Sequence, residues 1–102
     1  MSQTELQKQR STTLKERPQE PRKYRVTILN DDFTTFDFVI MVMMTVFQKT
    51  LQQAEEIAET THIHQKAQVG IYTLDIARSK VAKATEMARA KNFPLSFEIE
   101  PE

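Results

Sequence analysis

A small two-layer α/β (α+β) sandwich is the fold the sequence predicts, with a three-stranded sheet covered by helices in the order strand, helix, helix, strand, helix, strand. Three observations predict it. Two-residue apolar alternation opens and closes the region from Tyr24 onward. Stretches of helical spacing lie between, each preceded by threonine. The length of 102 residues allows one domain with a modest core and is too short for two. A sheet face and a helix stripe must each be buried, so such elements pack as one layer on another.

Tyr24, Val26 and Ile28 alternate with Arg25 and Thr27, which predicts a first strand ending near Leu29. Thr34 followed by Asp37 resembles a capping box, and Thr50 followed by Gln53 is a better one. These open helices over about 36–47 and 51–61, the second with Leu51, Ala54, Ile57, Ala58 and Thr61 on one side. Residues 68–73, around the only glycine, Gly70, read as a second strand. Thr73 caps a third helix whose inner face is Leu74, Ala77, Val81, Ala84 and Ala88, with Arg78, Lys80, Lys83, Arg89 and Lys91 turned outward. Pro94 stops that helix, and Leu95, Phe97 and Ile99 alternate with Ser96, Glu98 and Glu100 as the last strand.

Charge places the domain boundary. Residues 1–23 carry six Lys or Arg against three Glu and no aromatic side chain, whereas the remainder carries eight basic and eleven acidic residues. A segment so poor in apolar groups cannot offset its ordering entropy by burial, so a flexible arm over 1–23 and a folded domain over 24–102 are expected. The arm is either a solvated leader or a segment that reaches along a partner. Fourteen basic and fourteen acidic groups balance, which points to neither nucleic acid nor an anionic membrane. Cysteine is absent, which excludes disulfides and thiolate metal sites and agrees with a reducing cytoplasm. The longest nearly apolar stretch, 36–47, is too short to span a bilayer, and no apolar signal core opens the chain.

The first helix, FDFVIMVMMTVF, offers polar side chains only at Asp37 and Thr45. Covering a sheet requires a stripe, so some of Phe36, Ile40, Met41, Met43 and Met44 are expected outside the core, as a binding surface would require. Just before it, Asn30, Asp31 and Asp32 stand at the rim where the strand ends. They read first as turn chemistry. With His62 at the end of the second helix they also form a set of acceptors beside an apolar recess, complementary to an ammonium group carrying a hydrophobic side chain.

The stretch YRVTILNDDFTTFDFV, His62, the run VGIYTLDIARSKVAKA and the ending FPLSF together resemble the ClpS family. Members are bacterial adaptors that present proteins bearing certain N-terminal residues to a ClpA-type unfoldase and its ClpP peptidase. The resemblance runs from about Tyr24 to the C-terminus. It implies that Asn30, Asp31, Asp32 and His62 bind a substrate's α-amino group, and that Leu29, Thr34, Phe36, Val39, Ala58, Thr61 and Leu95 wall the pocket for its first side chain. That side chain would be Phe, Tyr, Trp or Leu. It also implies that the arm engages the N-terminal domain of a ClpA-type or ClpC-type AAA+ unfoldase, that the protein is a cytoplasmic monomer, and that it uses no cofactor or metal. Phe36 and Ala58 depart from two methionines common at the pocket mouth, Thr61 replaces an apolar wall residue, and His64-Gln65-Lys66 lacks a usual glycine.

Two other classes compete with this reading. An enzyme would use Asp31 or Asp32 as base and His62 as acid, yet no nucleophile, metal cluster or glycine-rich phosphate loop accompanies them. His62 and His64, two apart on a helix, do not face one another as metal ligands would. A generic protein-interaction module, related in fold to the C-terminal domain of the ribosomal stalk, would explain the apolar first helix but not the acceptor set.

Overall fold

The structure, a computed structural model, describes residues 21–102. The expected arm therefore lies outside the described residues, apart from its last three positions. Six elements follow in the expected order: β1 (Lys23–Leu29), α1 (Phe36–Thr45), α2 (Leu51–His64), β2 (Lys66–Thr73), α3 (Leu74–Ala90) and β3 (Ser96–Pro101). The sheet is antiparallel throughout with β1 central, in the order β2-β1-β3. α3 lies across all three strands, while α2 packs on β2 and on α1. The predicted two-layer α/β class is the one observed.

Val26 and Ile28 are fully buried at the centre of the sheet. β1 reaches the core from a middle position because both neighbours hold it in register, Ile28 facing Ala67 on one side and Phe97 on the other. Between Val26 and Thr27 the β1–β2 register slips, since Val26 faces Gly70 and Thr27 faces Gln68. The extra residue, Val69, is itself buried in the core beside Ala67, and beyond it the positions on the core side of β2 become Gly70 and Tyr72. Gly70 has a further reason to lack a side chain. A Cβ there would stand 2.6 Å from the Tyr72 hydroxyl oxygen, because that ring folds back over the glycine. The ring then meets Phe47 at 6.3 Å, and burial pushes its phenol up from the ordinary 10.0.

The helix starts are set by side-chain caps. Thr50 forms the expected capping box with Gln53, each side chain bonded to the other's backbone N–H. At α1 the cap is Thr35, whose hydroxyl accepts from Phe38 N at 3.2 Å. Thr34 was the expected cap, but its hydroxyl is committed to Asp31 instead. Thr73 stands at the N-cap of α3 without capping through its side chain; its hydroxyl donates to Asp75 Oδ1 at 2.9 Å.

The packing changes some of these expectations and sharpens others. α1 ends at Thr45, two residues early, because Gln48 turns left-handed at φ 53° and Lys80 reaches across from α3 to donate to Val46 O at 2.9 Å and to Gln48 Oε1. Lys80 is thus not an outward lysine: it satisfies a helix C-terminus, where a cation is favoured, and sits 5.7 Å from the Tyr72 ring centre. Met43 is fully buried, so the exposed apolar side chains of α1 are Phe36 and Met44, with Ile40 and Met41 half-buried. Leu51, at the first position of α2, is about half exposed, ahead of the turns that bury Ala54, Ala58 and Thr61. Lastly, α2 runs on to His64, which carries His62 in its final turn.

Candidate functional site

Antiparallel pairing decides what stands beside the Asn-Asp-Asp tip. Leu29, the last residue of β1, pairs with Lys66, the first of β2, so the chain entering β2 from α2 must arrive next to Asn30. One further ladder bond fixes the join, from Asn30 N to Gln65 O at 2.9 Å. The side chains repeat the contact, with Asn30 Nδ2 donating to Gln65 Oε1 at 3.3 Å. Gln65 itself lies left-handed at φ 74° as the C-cap of α2, the conformation a glycine would adopt without strain, and its side-chain amide donates to His62 O at 3.4 Å. Sequence reasoning noticed the missing glycine here without seeing that the glutamine in its place ties the two halves of the site together.

Asp31 builds the turn itself. Its Oδ1 accepts from Phe33 N at 2.8 Å and Thr34 N at 2.7 Å, and its Oδ2 accepts from the Thr34 hydroxyl at 2.7 Å. A carboxylate offers about four acceptor positions, and three are used by the turn. Partial burial pushes this carboxyl up, but the hydrogen bonds from Thr34 and Phe33, with the nearby Arg89 guanidinium, outweigh it and hold it below its ordinary 3.8. A group depressed in the folded state contributes stability above its unfolded value and loses it as pH falls through the folded one. Asp31→Asn should therefore lower stability by about 1 kcal/mol at neutral pH, the hydrogen bonds to a partly exposed carboxylate being weakened by solvent screening, with the difference from the parent closing at a pH below the ordinary carboxylate range. Urea unfolding at the two pH values checks this.

Beyond the turn, Asn30, Asp31, Asp32, Thr34, Phe36, Val39, Ala58, Thr61 and His62 line a single recess of about 380 Å³. Its floor is Val39, Ala58 and Thr61, all buried, and its rim is Asp32, Phe36 and His62, all exposed. Nine of the eleven candidate residues thus meet in one place. Leu29 and Leu95 do not line it. Leu29 follows Ile28 in the strand alternation and falls on the opposite side of the sheet, half-buried. Leu95 is 1% exposed within the core. Arg89 fixes that region by donating to Phe93 O at 2.7 Å and Leu95 O at 3.0 Å.

The chemistry offered at the rim is that of acceptors. Asn30 spends one side-chain N–H on Gln65 and keeps its carbonyl oxygen, Asp32 brings a carboxylate and His62 an imidazole. Among the described residues no group of three or more His, Cys, Asp or Glu is placed to hold a metal ion. A cation carried on an apolar stem fits such a recess. Residues 19–98 match the model of a protein family described as ClpS, ATP-dependent Clp protease adaptor protein ClpS.

The chain belongs to the ClpS family. It is 49% identical over 82 residues to the ATP-dependent Clp protease adapter protein ClpS of Acetivibrio thermocellus, covering 80% of this chain and 83% of that protein. The ClpS of Treponema denticola is 42% identical over 94 residues, covering 92% and 93%. Among solved structures, Agrobacterium tumefaciens ClpS2 bound to L-phenylalaninamide superposes with a TM-score of 0.78 at 36% identity, over 81% of this chain and 100% of that one. The resemblance read from the sequence and the ClpS fold seen in space therefore agree, and the family is one of adaptors in regulated proteolysis by the Clp protease.

Proposed function

We propose that the recess captures the free N-terminal residue of a protein substrate, with a large hydrophobic side chain (Phe, Tyr, Trp or Leu) on its floor, and that the chain delivers the substrate to a ClpA-type or ClpC-type AAA+ unfoldase. The α-ammonium sits at the rim against Asn30 Oδ1, Asp32 and His62. Asp31 holds the turn and retains one acceptor position toward the same group. The observation that carries this reading is the union in one recess of a charged acceptor rim with the buried apolar floor of Val39 and Ala58. The ligand named for the Agrobacterium neighbour supports it, since L-phenylalaninamide is a free amine with an aromatic side chain and an amide where a peptide would continue. The work of such a site is binding, in the cytoplasm, with no bond made or broken by its side chains.

Titrating peptides that differ only in the first residue tests the reading. Phe, Tyr, Trp and Leu peptides should bind, and Asp, Lys or Gly peptides should not. His62→Ala should weaken all binders by a common factor of about three to ten, the effect of one hydrogen bond to an ammonium that every peptide shares. A first-residue series that binds uniformly would refute the pocket, and an effect of His62→Ala confined to one residue class would remove His62 from the amine site.

A further inference from the structure

Resting on that reading of the recess, we propose that Thr61 is a specificity-determining residue, and that it tunes the floor toward first side chains carrying a hydrogen-bond donor, the phenol of Tyr and the indole of Trp, over Phe and Leu. Among the described residues the buried polar side chains are Thr27 and Thr61, and Thr61, at 4% exposed, is the one that lines the recess. A hydroxyl carries one donor and two acceptor positions. Thr61 Oγ1 spends its proton on Ile57 O at 2.7 Å, so what remains on that oxygen is acceptor capacity. The other hydroxyl at the recess, that of Thr34, is likewise spent on Asp31 Oδ2.

The backbone N–H groups of Phe33 and Thr34 are taken by Asp31 Oδ1. A ligand side chain therefore meets hydroxyl oxygens that can accept and none that can donate. An O–H or N–H entering the floor finds a partner there. A Phe ring or Leu methyls cover the Thr61 oxygen without replacing the water it loses, and a buried acceptor left short of partners is unfavourable. Ala58 stands one helical turn before Thr61 on the same face and is also part of the floor, so a methyl group rather than a long side chain lies beside the hydroxyl, leaving room for the far end of a ring.

The experiment compares two matched ligand pairs on the full chain and on its Thr61→Val and Thr61→Ser variants. Val replaces the hydroxyl by a methyl at similar volume, and Ser keeps the hydroxyl. Peptides beginning with Tyr and Phe differ by one O–H, and peptides beginning with Trp and naphthylalanine by one N–H. The full chain should favour Tyr over Phe and Trp over naphthylalanine. Thr61→Val should lower both ratios by about threefold to tenfold, and Thr61→Ser should preserve them. Each ratio is taken within one protein, so a change in overall stability cancels. Equal ratios in the parent and Thr61→Val overturn the proposal, as does a parent that binds Phe as tightly as Tyr, which decides the matter even if the Val variant does not fold. N-acetylated Tyr peptide is run alongside: if it binds as well as the free amine, the reading of the amine site fails and this proposal with it. If acetylation abolishes binding while the ratios stay unchanged, only the role of Thr61 falls.

Discussion

Deleting residues 1–20 is expected to leave peptide affinity within about twofold while degradation of a model N-degron substrate falls by roughly tenfold or more. The first half follows from where the recess is built. Each residue lining it lies between Asn30 and His62, on a turn and two helices, and β1 begins only at Lys23. The second half tests the proposal that residues 1–20, mildly basic and without aromatic side chains, supply a second contact to the unfoldase. A tethered second contact raises the local concentration of cargo at an unfoldase without altering the pocket, so its loss appears in delivery and not in recognition. The two assays are fluorescence anisotropy with a labelled peptide and substrate turnover with unfoldase and peptidase present. Equal turnover by the truncated and intact chains would make the arm a passive leader.

Much of the fold was legible because local and tertiary demands agreed. Thr50 and Gln53 cap α2 wherever that helix packs, and the alternation of Val26 and Ile28 is the alternation the central strand buries. What escaped were decisions taken between distant elements. Lys80 looks like a solvated lysine until the C-terminus of α1 is set beside it, and no one-dimensional pattern contains that meeting. Thr34 and Thr35 are equivalent candidates for a cap until Asp31 claims one of them. The slip at Val69, which brings Gly70 under the Tyr72 ring, likewise depends on strands that meet only in the fold.

The same division runs through the site. Asn30, Asp31, Asp32 and His62 were readable as a set from residue chemistry and from the resemblance, and the antiparallel join at Leu29 and Lys66 explains why they converge. Their separate parts were not readable. Asp31 turns inward and spends three acceptor positions on the turn, which leaves Asn30, Asp32 and His62 to face outward. Leu29 and Leu95, which the resemblance placed in the wall, do not line the recess, because a strand's alternation turns Leu29 to the face opposite Ile28 and Leu95 is buried in the core just before β3 begins.

Recognition of a charged, free α-amine by the rim is tested by acetylating that amine. Acetylation removes the positive charge, replaces donors by a methyl-bearing carbonyl and sets that carbonyl against the acceptors of Asn30, Asp32 and His62. Loss of a hydrogen-bonded charged contact at an interface typically costs about 2 to 5 kcal/mol, and the exposed rim places the effect near the lower figure, roughly thirtyfold in Kd. Two peptides identical from a first Phe onward, one free and one N-acetylated, are titrated by fluorescence anisotropy at neutral pH. The free peptide should saturate clearly, and the acetylated one should bind at least about thirtyfold more weakly. Equal affinity for the two would contradict recognition of the free amine.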